Sequence, residues 1–210
     1  MQSLIASDSA LGAFIKRAPS FPGFPAPRSA DSHFHSLART IIYQQLAGKA
    51  AATIHNRVVA LTPGKRFPTA DELAHIRTTK LRAAGLSHNK MLAIKALAKS
   101  AASGTLKLHS ISRQEDESII DQLTQIRGIG RWSAQMFLMF RLGRLDVLPS
   151  GDLGVQEGLR ILDKMKSRPK AKELEERGEQ WKPLRSVASW YMYRIADEYR
   201  AKTIQSKMPQ

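Results

Sequence analysis

Apolar residues along this chain recur mainly at intervals of three and four, which is the spacing of one face of an α-helix. Residues 34–42 form one such face, and residues 51–61 form another after the interruption "QQLAG". The same spacing returns in residues 184–195 near the end of the chain. No segment alternates apolar and polar residues convincingly, as a half-buried strand would. The pattern therefore predicts an all-α protein.

Local signals predict where several of these helices begin. Residues 69–72 and residues 112–115 each have Ser or Thr followed three residues later by Glu, the spacing of a capping box. A further helix is predicted over residues 89–102. Its lysines are expected on the side that faces solvent: Lys90, Lys95 and Lys99.

Two glycines interrupt the helical pattern in "LTQIRGIGRWSAQMF", residues 123–137. Gly128 and Gly130 permit a sharp turn and expose backbone N–H groups, and the helix after them begins with N–H groups that lack internal partners. Such a hairpin can bind a DNA phosphate, which positions a duplex without reading its bases. The alternative for the glycines alone is a tight corner between two helices that binds nothing.

The charge balance favours a polyanionic partner. The chain of 210 residues has 33 Lys and Arg against 18 Asp and Glu, a formal net charge of +15. Such an excess favours nucleic acid, although a basic structural protein of a ribonucleoprotein would show it too. The absence of Cys excludes disulfides, thiolate catalysis and iron–sulfur clusters. His33 and His35 have no supporting ligand pattern, so we expect no metal bound by side chains.

Targeting signals are not evident in the sequence. No run of about 18 apolar residues is present, and the N-terminal segment lacks a charged region before a long apolar stretch. We therefore expect an intracellular protein without a membrane partner. It would be cytoplasmic in a bacterium or nuclear in a eukaryote.

The segment "LPSGDLGV" places Asp152 at the predicted start of a helix. Asp is a favoured N-cap residue, so helix capping alone accounts for it. A carboxylate in an otherwise basic protein can also lie against a DNA backbone and stabilise a cation-like reaction centre. The residues alone leave both readings open.

Taken together, these motifs resemble those of a known family. "IRGIGRWSAQMF" followed by "LPSGD" resembles the helix–hairpin–helix DNA glycosylases, in which a Gly/Pro-rich loop and a catalytic Asp follow the hairpin. "GIGRWSA", "LPSGDLGV" and "WKPLRSVASWYMYR" are similar to the alkylation-repair 3-methyladenine DNA glycosylases, and the resemblance extends from about Leu37 to Arg194. The length and helical pattern predict the compact form, without the β-rich N-terminal domain of larger members.

The resemblance implies a single glycosylase domain over residues 1–210, built from two helical subdomains with the active site in a cleft between them. One subdomain would span about residues 33–110. The other would comprise about residues 1–32 plus 111–205, and would contain the hairpin (124–141) and the catalytic Asp loop.

The resemblance also implies roles for individual residues. Asp152 would be catalytic, stabilising the oxocarbenium-like sugar and activating water. The gap left by a flipped base would be filled by Gln45 or Leu46, and core packing is the alternative for Leu46. The base pocket would use Trp132, Phe140, Tyr193 and Trp190, although aromatic residues at helical spacing are more often part of the core. The DNA-binding hairpin would comprise Gly128, Ile129, Gly130, Arg131 and Ser133.

The implied reaction is hydrolysis of the N-glycosidic bond of alkylated purines of the 3-methyladenine and 7-methylguanine type, after base flipping. Relatives that also cut the strand carry a Lys where this chain has Trp132, so the implied enzyme is monofunctional and leaves an abasic site. No cofactor is expected, although backbone carbonyls of the hairpin could hold a monovalent cation. The expected partner is double-stranded DNA with alkylated bases, bound by a monomer. The competing hypothesis is a non-catalytic module that only binds damaged DNA.

Overall fold

The computed structural model describes residues 1–24 and 32–206, and this part of the chain is helical throughout, without a β-strand. The predicted all-α fold class is confirmed. No helix in the described part is both long enough and apolar enough to cross a membrane. The helices are α1 (Gln2–Ser7), α2 (Ser9–Arg17), α3 (His33–Tyr43), α4 (Gly48–Val59), α5 (Ala70–His75), α6 (Thr78–Ala83), α7 (His88–Ala102), α8 (Asp116–Thr124), α9 (Arg131–Phe140), α10 (Leu153–Leu162), α11 (Ala171–Gly178) and α12 (Arg185–Gln205).

The chain divides by its internal contacts into two compact units. The terminal unit comprises Met1–Pro25 and Leu138–Gln210, and the central unit comprises Ala26–Phe137. This division differs from the predicted subdomains because residues 111–137, with the hairpin, group with the central unit. Residues 25–31, in the predicted Pro-rich loop, lie outside the described residues.

One of the two predicted capping boxes is present. The Thr69 hydroxyl accepts a hydrogen bond from the Glu72 N–H at 3.2 Å, and the Glu72 carboxylate accepts one from the Thr69 N–H at 2.7 Å. The second prediction is wrong: α8 begins at Asp116 with Glu115 as its N-cap, so Ser112 does not cap this helix. Ser112 lies instead in a short 3-10 turn, Ile111–Arg113, which ends before the N-cap of α8.

The core of the terminal unit forms where α10 packs against α12. Val155 and Leu159 on α10 are buried, as are Tyr191 and Met192 on α12. The same cluster includes the fully buried Trp181. This packing holds the N-terminus of α10, and with it Asp152, against the C-terminal helix.

Helix α7 forms the centre of the central unit, because it packs against α3, α5 and α6. Its Ile94 and Leu97 are fully buried. The predicted solvent-facing side of this helix is wrong for two of its lysines. Lys90 and Lys95 lie partly buried and donate hydrogen bonds to backbone carbonyls of other helices.

Candidate active site

The predicted hairpin connects α8 to α9 through residues 125–130. Gly128 has a φ of +84°, a conformation that L side chains rarely adopt. A Cβ at Gly128 would lie only 2.5 Å from the Cβ of Ala93 on α7, so the hairpin backbone packs directly on that helix. A Cβ at Gly130 would meet no protein atom within 4 Å. The two glycines therefore differ: protein packing requires the first, whereas open space lies beside the second.

The structure divides the predicted DNA-binding hairpin into exposed and buried side chains. Gly128, Gly130 and Arg131 are exposed, and an Arg131 guanidinium nitrogen forms an ion pair with Glu117 at 2.6 Å. Ile129 and Ser133 are only 4% exposed. Their side chains are therefore internal parts of the hairpin, and only the exposed members present side chains or backbone to an external ligand.

We expect Ala to weaken mainly DNA binding at Gly130 and mainly the stability of the fold at Gly128. Gly130→Ala should change the free energy of unfolding by no more than about 1 kcal/mol, because its methyl group meets open space. It should weaken duplex binding about ten- to a hundred-fold if a phosphate accepts hydrogen bonds at this backbone. Gly128→Ala should destabilise the fold by about 1–3 kcal/mol through strain and overpacking. Denaturant titration and fluorescence anisotropy with a labelled duplex measure the two effects. Unchanged DNA affinity in Gly130→Ala would contradict a contact between a DNA phosphate and the backbone at Gly130.

Asp152 is the N-cap of α10 and is 8% exposed. Its Oδ1 accepts hydrogen bonds from the N–H groups of Gly154 at 2.7 Å and Val155 at 3.0 Å. The capping interpretation is thus correct, but it involves only one carboxylate oxygen. The N-terminus of the helix also places partial positive charge beside the carboxylate.

Tyr193 on α12 contacts this carboxylate. Its hydroxyl donates a hydrogen bond to Asp152, and burial together with the charge and hydrogen bonding of Asp152 raises the pKa of Tyr193 well above its usual range. The ring lies so close that a Cβ at Gly154 would be 2.8 Å from the Tyr193 Cε1. Gly154 therefore permits the close approach of Tyr193 to Asp152, and two of the predicted site residues form one hydrogen-bonded pair.

The loop before Asp152 is held by its own hydrogen bonds. The Ser150 hydroxyl donates to Glu175 at 2.6 Å, and the Gln156 side chain donates to the Ser150 carbonyl at 2.8 Å. The nearby carboxylate of Asp146 is engaged by Arg185, with one Nε–Oδ1 distance of 2.8 Å. Asp146 therefore fixes the start of α12, whereas Asp152 is the carboxylate next to an aromatic hydroxyl.

Two further predicted pocket residues, Phe140 and Trp190, belong to a chain of aromatic contacts within the terminal unit. The Phe140 ring packs edge-on against Phe24, with 5.3 Å between ring centroids. Phe24 packs in the same way against Phe21, with 5.0 Å between centroids, and Phe21 packs against Trp190, with 5.5 Å. Sequence analysis missed Phe21 and Phe24 because they lie in a Pro-rich loop. Their only sequence signal is the paired aromatic residues of "SFPGF".

The remaining predicted site residues lie in the central unit. Trp132, at the start of α9, is 43% exposed, a large fraction for an apolar side chain of this size. Gln45 and Leu46 lie in the loop between α3 and α4, where Gln45 has a φ of +53° and Leu46 is 39% exposed. Leu46 is therefore not a core residue.

No group of three or more His, Asp or Glu able to hold a metal occurs in the described ranges.

The chain is similar in sequence and in structure to proteins named as 3-methyladenine DNA glycosylases. The chain is 35% identical to DNA-3-methyladenine glycosylase 1 of Schizosaccharomyces pombe over 164 residues, which cover 78% of this chain and 72% of that protein. The structure of this chain is similar to that of the S. pombe 3-methyladenine DNA glycosylase in complex with abasic DNA, with a TM-score of 0.81 and 31% identity. The match covers 92% of this chain and 94% of the other. A DNA-3-methyladenine glycosidase from Bacillus halodurans has a TM-score of 0.84 at 35% identity, over 96% and 90%.

A helical fold with a glycine hairpin before α9 and an Asp at the start of α10 has the features expected of a class of DNA repair enzymes, the DNA glycosylases. The model of the HhH-GPD superfamily of base excision DNA repair proteins matches residues 38–183, and the chain belongs to this family. The predicted family is thereby confirmed, and the partner of the protein is DNA.

Proposed function

We propose that this protein hydrolyses the N-glycosidic bond of alkylated purines of the 3-methyladenine and 7-methylguanine type in duplex DNA. The observation that carries the proposal is the buried Asp152 carboxylate, which caps α10 and accepts the Tyr193 hydroxyl. The printed names of the relatives support the same substrate class. The protein acts as a monomer, in the cytoplasm of a bacterium or the nucleus of a eukaryote.

The reaction begins with extrusion of the damaged nucleotide, because its glycosidic bond is not accessible inside the stack. The hairpin binds the backbone, and the loop with Gln45 and Leu46 fills the space that the base vacates. Leu46 suits this role because an exposed apolar side chain can replace some of the lost stacking. The flipped base is then received by aromatic side chains.

Alkylation of a purine ring nitrogen gives the base a positive charge. Such a base is attracted to an aromatic face, by about 2 kcal/mol or more when the pair is desolvated. Within the terminal unit, the ring of Tyr193 next to Asp152 is such a face. Within the central unit, the exposed ring of Trp132 is another. When the glycosidic bond breaks, its electron pair neutralises the departing base. No proton has to be delivered to the leaving group.

The sugar becomes oxocarbenium-like as the base departs. The negative charge of Asp152 stabilises this cation, and the carboxylate orients the water molecule whose oxygen forms the new bond to C1′. The proton released by that water passes to the carboxylate or to solvent. The product is an intact strand with an abasic site. No Lys amine is placed for Schiff-base formation at Trp132, which supports a monofunctional reaction.

Two measurements test this proposal together. We expect the protein to release 3-methyladenine and 7-methylguanine from methylated duplex DNA, and to release neutral ethenoadenine or hypoxanthine at least about tenfold more slowly, because those lose the cation–π attraction. Borohydride should trap no covalent protein–DNA complex. Preferential release of a neutral base would contradict the substrate class, and a trapped complex would contradict the monofunctional mechanism. Tight DNA binding without any base release would favour the non-catalytic module.

A further inference from the structure

The loop between α3 and α4, residues 44–47, is exposed from Gln45 onward but is held at its first residue, Gln44. Gln45 adopts a left-handed φ of +53°, which costs a non-glycine residue free energy that neighbouring contacts must offset. The Leu46 N–H donates to the Tyr43 carbonyl at 3.3 Å, a local contact that closes the turn. Two polar side chains, those of Lys90 and Gln44, fix the loop to the rest of the central unit.

The first of these side chains is Lys90 of α7. Its Nζ donates hydrogen bonds to the Ile42 carbonyl at 2.8 Å and to the Gln44 carbonyl at 2.6 Å. The ammonium group thereby satisfies carbonyls at the C-terminus of α3, where the helix dipole favours a cation. The loop consequently begins from a fixed position on α7.

The second is Gln44 itself. Its Nε2 donates to the Gly128 carbonyl at 3.0 Å and lies 3.3 Å from the Ser133 hydroxyl. One residue therefore has its main-chain carbonyl bound by α7 and its side chain bound by the hairpin. Ser133, predicted as part of the DNA-binding hairpin, therefore also contacts the loop.

The hairpin also rests on α7, through the contact between Gly128 and Ala93. Ala93 and Lys90 are three residues apart, and this spacing puts them on the same face of the helix. That single face therefore contacts both the hairpin and the base of the loop. Gln44 completes the arrangement by joining the loop directly to the hairpin.

From these contacts we propose that Lys90 and Gln44 are positioning residues that fix the Gln45–Leu46 tip relative to the hairpin. When the hairpin binds a phosphate, the tip is then held in the register needed to enter the duplex. The inference rests on the proposed function. An unanchored loop would have to be ordered during insertion, at the cost of its conformational entropy. Preorganisation avoids this cost during base flipping.

The chain offers a matched control on the same helix. Lys95 Nζ donates to the carbonyls of Ala74 at 2.5 Å and Ile76 at 2.8 Å, at the C-terminus of α5. Lys95 makes the same kind of helix-end contact as Lys90, but to a different helix end. Lys95→Met therefore reproduces the general effect of removing a buried lysine from α7.

The experiment compares Lys90→Met and Gln44→Leu with Lys95→Met. Amide hydrogen exchange of residues 43–47 in the free protein reports loop order without DNA. Fluorescence of 2-aminopurine next to an abasic-site analogue in a duplex reports unstacking, and single-turnover release of 3-methyladenine reports catalysis. Gln44→Leu removes a partly exposed amide, so it provides a folded variant if Lys90→Met is unstable.

We expect loop exchange to rise about ten- to a hundred-fold in Lys90→Met and Gln44→Leu, as the loss of charged or paired donors implies. The unstacking signal and single-turnover rate should fall about tenfold, while affinity for undamaged duplex changes less than about twofold because the hairpin remains. Lys95→Met should preserve loop exchange, unstacking and rate, even if its thermal stability falls.

Equal behaviour of Lys90→Met and Lys95→Met in an active protein would overturn the positioning role. Increased loop exchange with an undiminished unstacking signal and rate would overturn it as well. If the native protein releases no base and unstacks none, the proposed function fails, and the positioning role fails with it. Loop exchange measured without DNA tells these cases apart, because it detects the Lys90 and Gln44 contacts whatever the enzyme does.

Discussion

Asp152→Asn is expected to lower the single-turnover rate of base release by about 10²- to 10⁴-fold, while folding and DNA binding are retained. The substitution keeps an oxygen that can accept the N–H groups of Gly154 and Val155, and Asn is as good an N-cap residue as Asp. What is lost is the negative charge next to the sugar. The effect should therefore appear in the chemical step and not in substrate affinity.

The measurement is free-base release under single-turnover conditions, with anisotropy for DNA binding and denaturant titration for stability. Asp197→Asn is the matched control, since Asp197 is an exposed carboxylate on α12 that pairs with the surface residue Arg200 at 3.4 Å. It changes the net charge by the same amount and should leave the rate unchanged. Similar rates for Asp152→Asn and the native protein would remove Asp152 from the catalytic role while leaving the enzyme in place.

Tyr193→Phe tests the partner of that carboxylate. It preserves the charge of Asp152 and the aromatic face but removes the hydroxyl that donates to it. We expect the single-turnover rate of base release to fall about tenfold, the usual effect of losing one hydrogen bond to a charged group. A loss as large as that of Asp152→Asn would mean that the orientation of the carboxylate matters as much as its charge.

Features that depend on local sequence could be predicted. Helical periodicity gave the all-α class and the break between α3 and α4, because a 3.6-residue period needs no knowledge of tertiary contacts. The glycine pair located the hairpin, and the position of Asp152 ahead of an apolar run located the start of α10. Assigning chemistry to Asp152, however, required the combination of several motifs.

Features that depend on which helices meet could not be predicted. Lys90 and Lys95 have the sequence environment of solvent-facing residues, but each lies next to carbonyls from another helix. Ile129 and Ser133 are neighbours of exposed hairpin residues in sequence, although both are buried within the central unit. Phe21 and Phe24 find aromatic partners in residues far along the chain, Trp190 and Phe140 respectively.

A buried charge cluster in the terminal unit shows the same limit, since its members are far apart in sequence. Asp8 is 4% exposed, and its carboxylate accepts hydrogen bonds from the Leu11 N–H at 3.0 Å and the Trp181 Nε1 at 2.8 Å. Arg177 Nη1 lies 2.7 Å from the same carboxylate, and Arg177 also pairs with Asp163. Asp8 thus joins the N-terminal helices to the second half of the chain.

We expect Arg177→Met to destabilise the protein by about 3–5 kcal/mol, because it leaves the Asp8 charge buried without its cation. Lys172→Met, on the same helix, is the control: its pair with Glu176 at 4.0 Å is exposed and should contribute no more than about 1 kcal/mol. Denaturant unfolding at neutral pH measures both. Equal stabilities of the two variants would show that the buried pair contributes little.

The effect of pH supplies an independent test of the same cluster. Burial by itself would raise the pKa of Asp8, but Arg177 and the Leu11 and Trp181 donors hold it below the ordinary value of 3.8. The native protein therefore keeps this stabilisation above about pH 4 and loses it as the pH falls through the lowered pKa. In Arg177→Met, the cation no longer offsets burial, so the pKa of Asp8 should be higher than in the native protein and acid should neutralise the unpaired charge at a higher pH. The difference in unfolding free energy between native protein and variant should shrink as the pH falls from 7 toward 4.

The double variant, Arg177→Met combined with Asp8→Asn, should be less destabilised than Arg177→Met alone. Its unfolding free energy should also depend less steeply on pH, since no buried charge is left to neutralise.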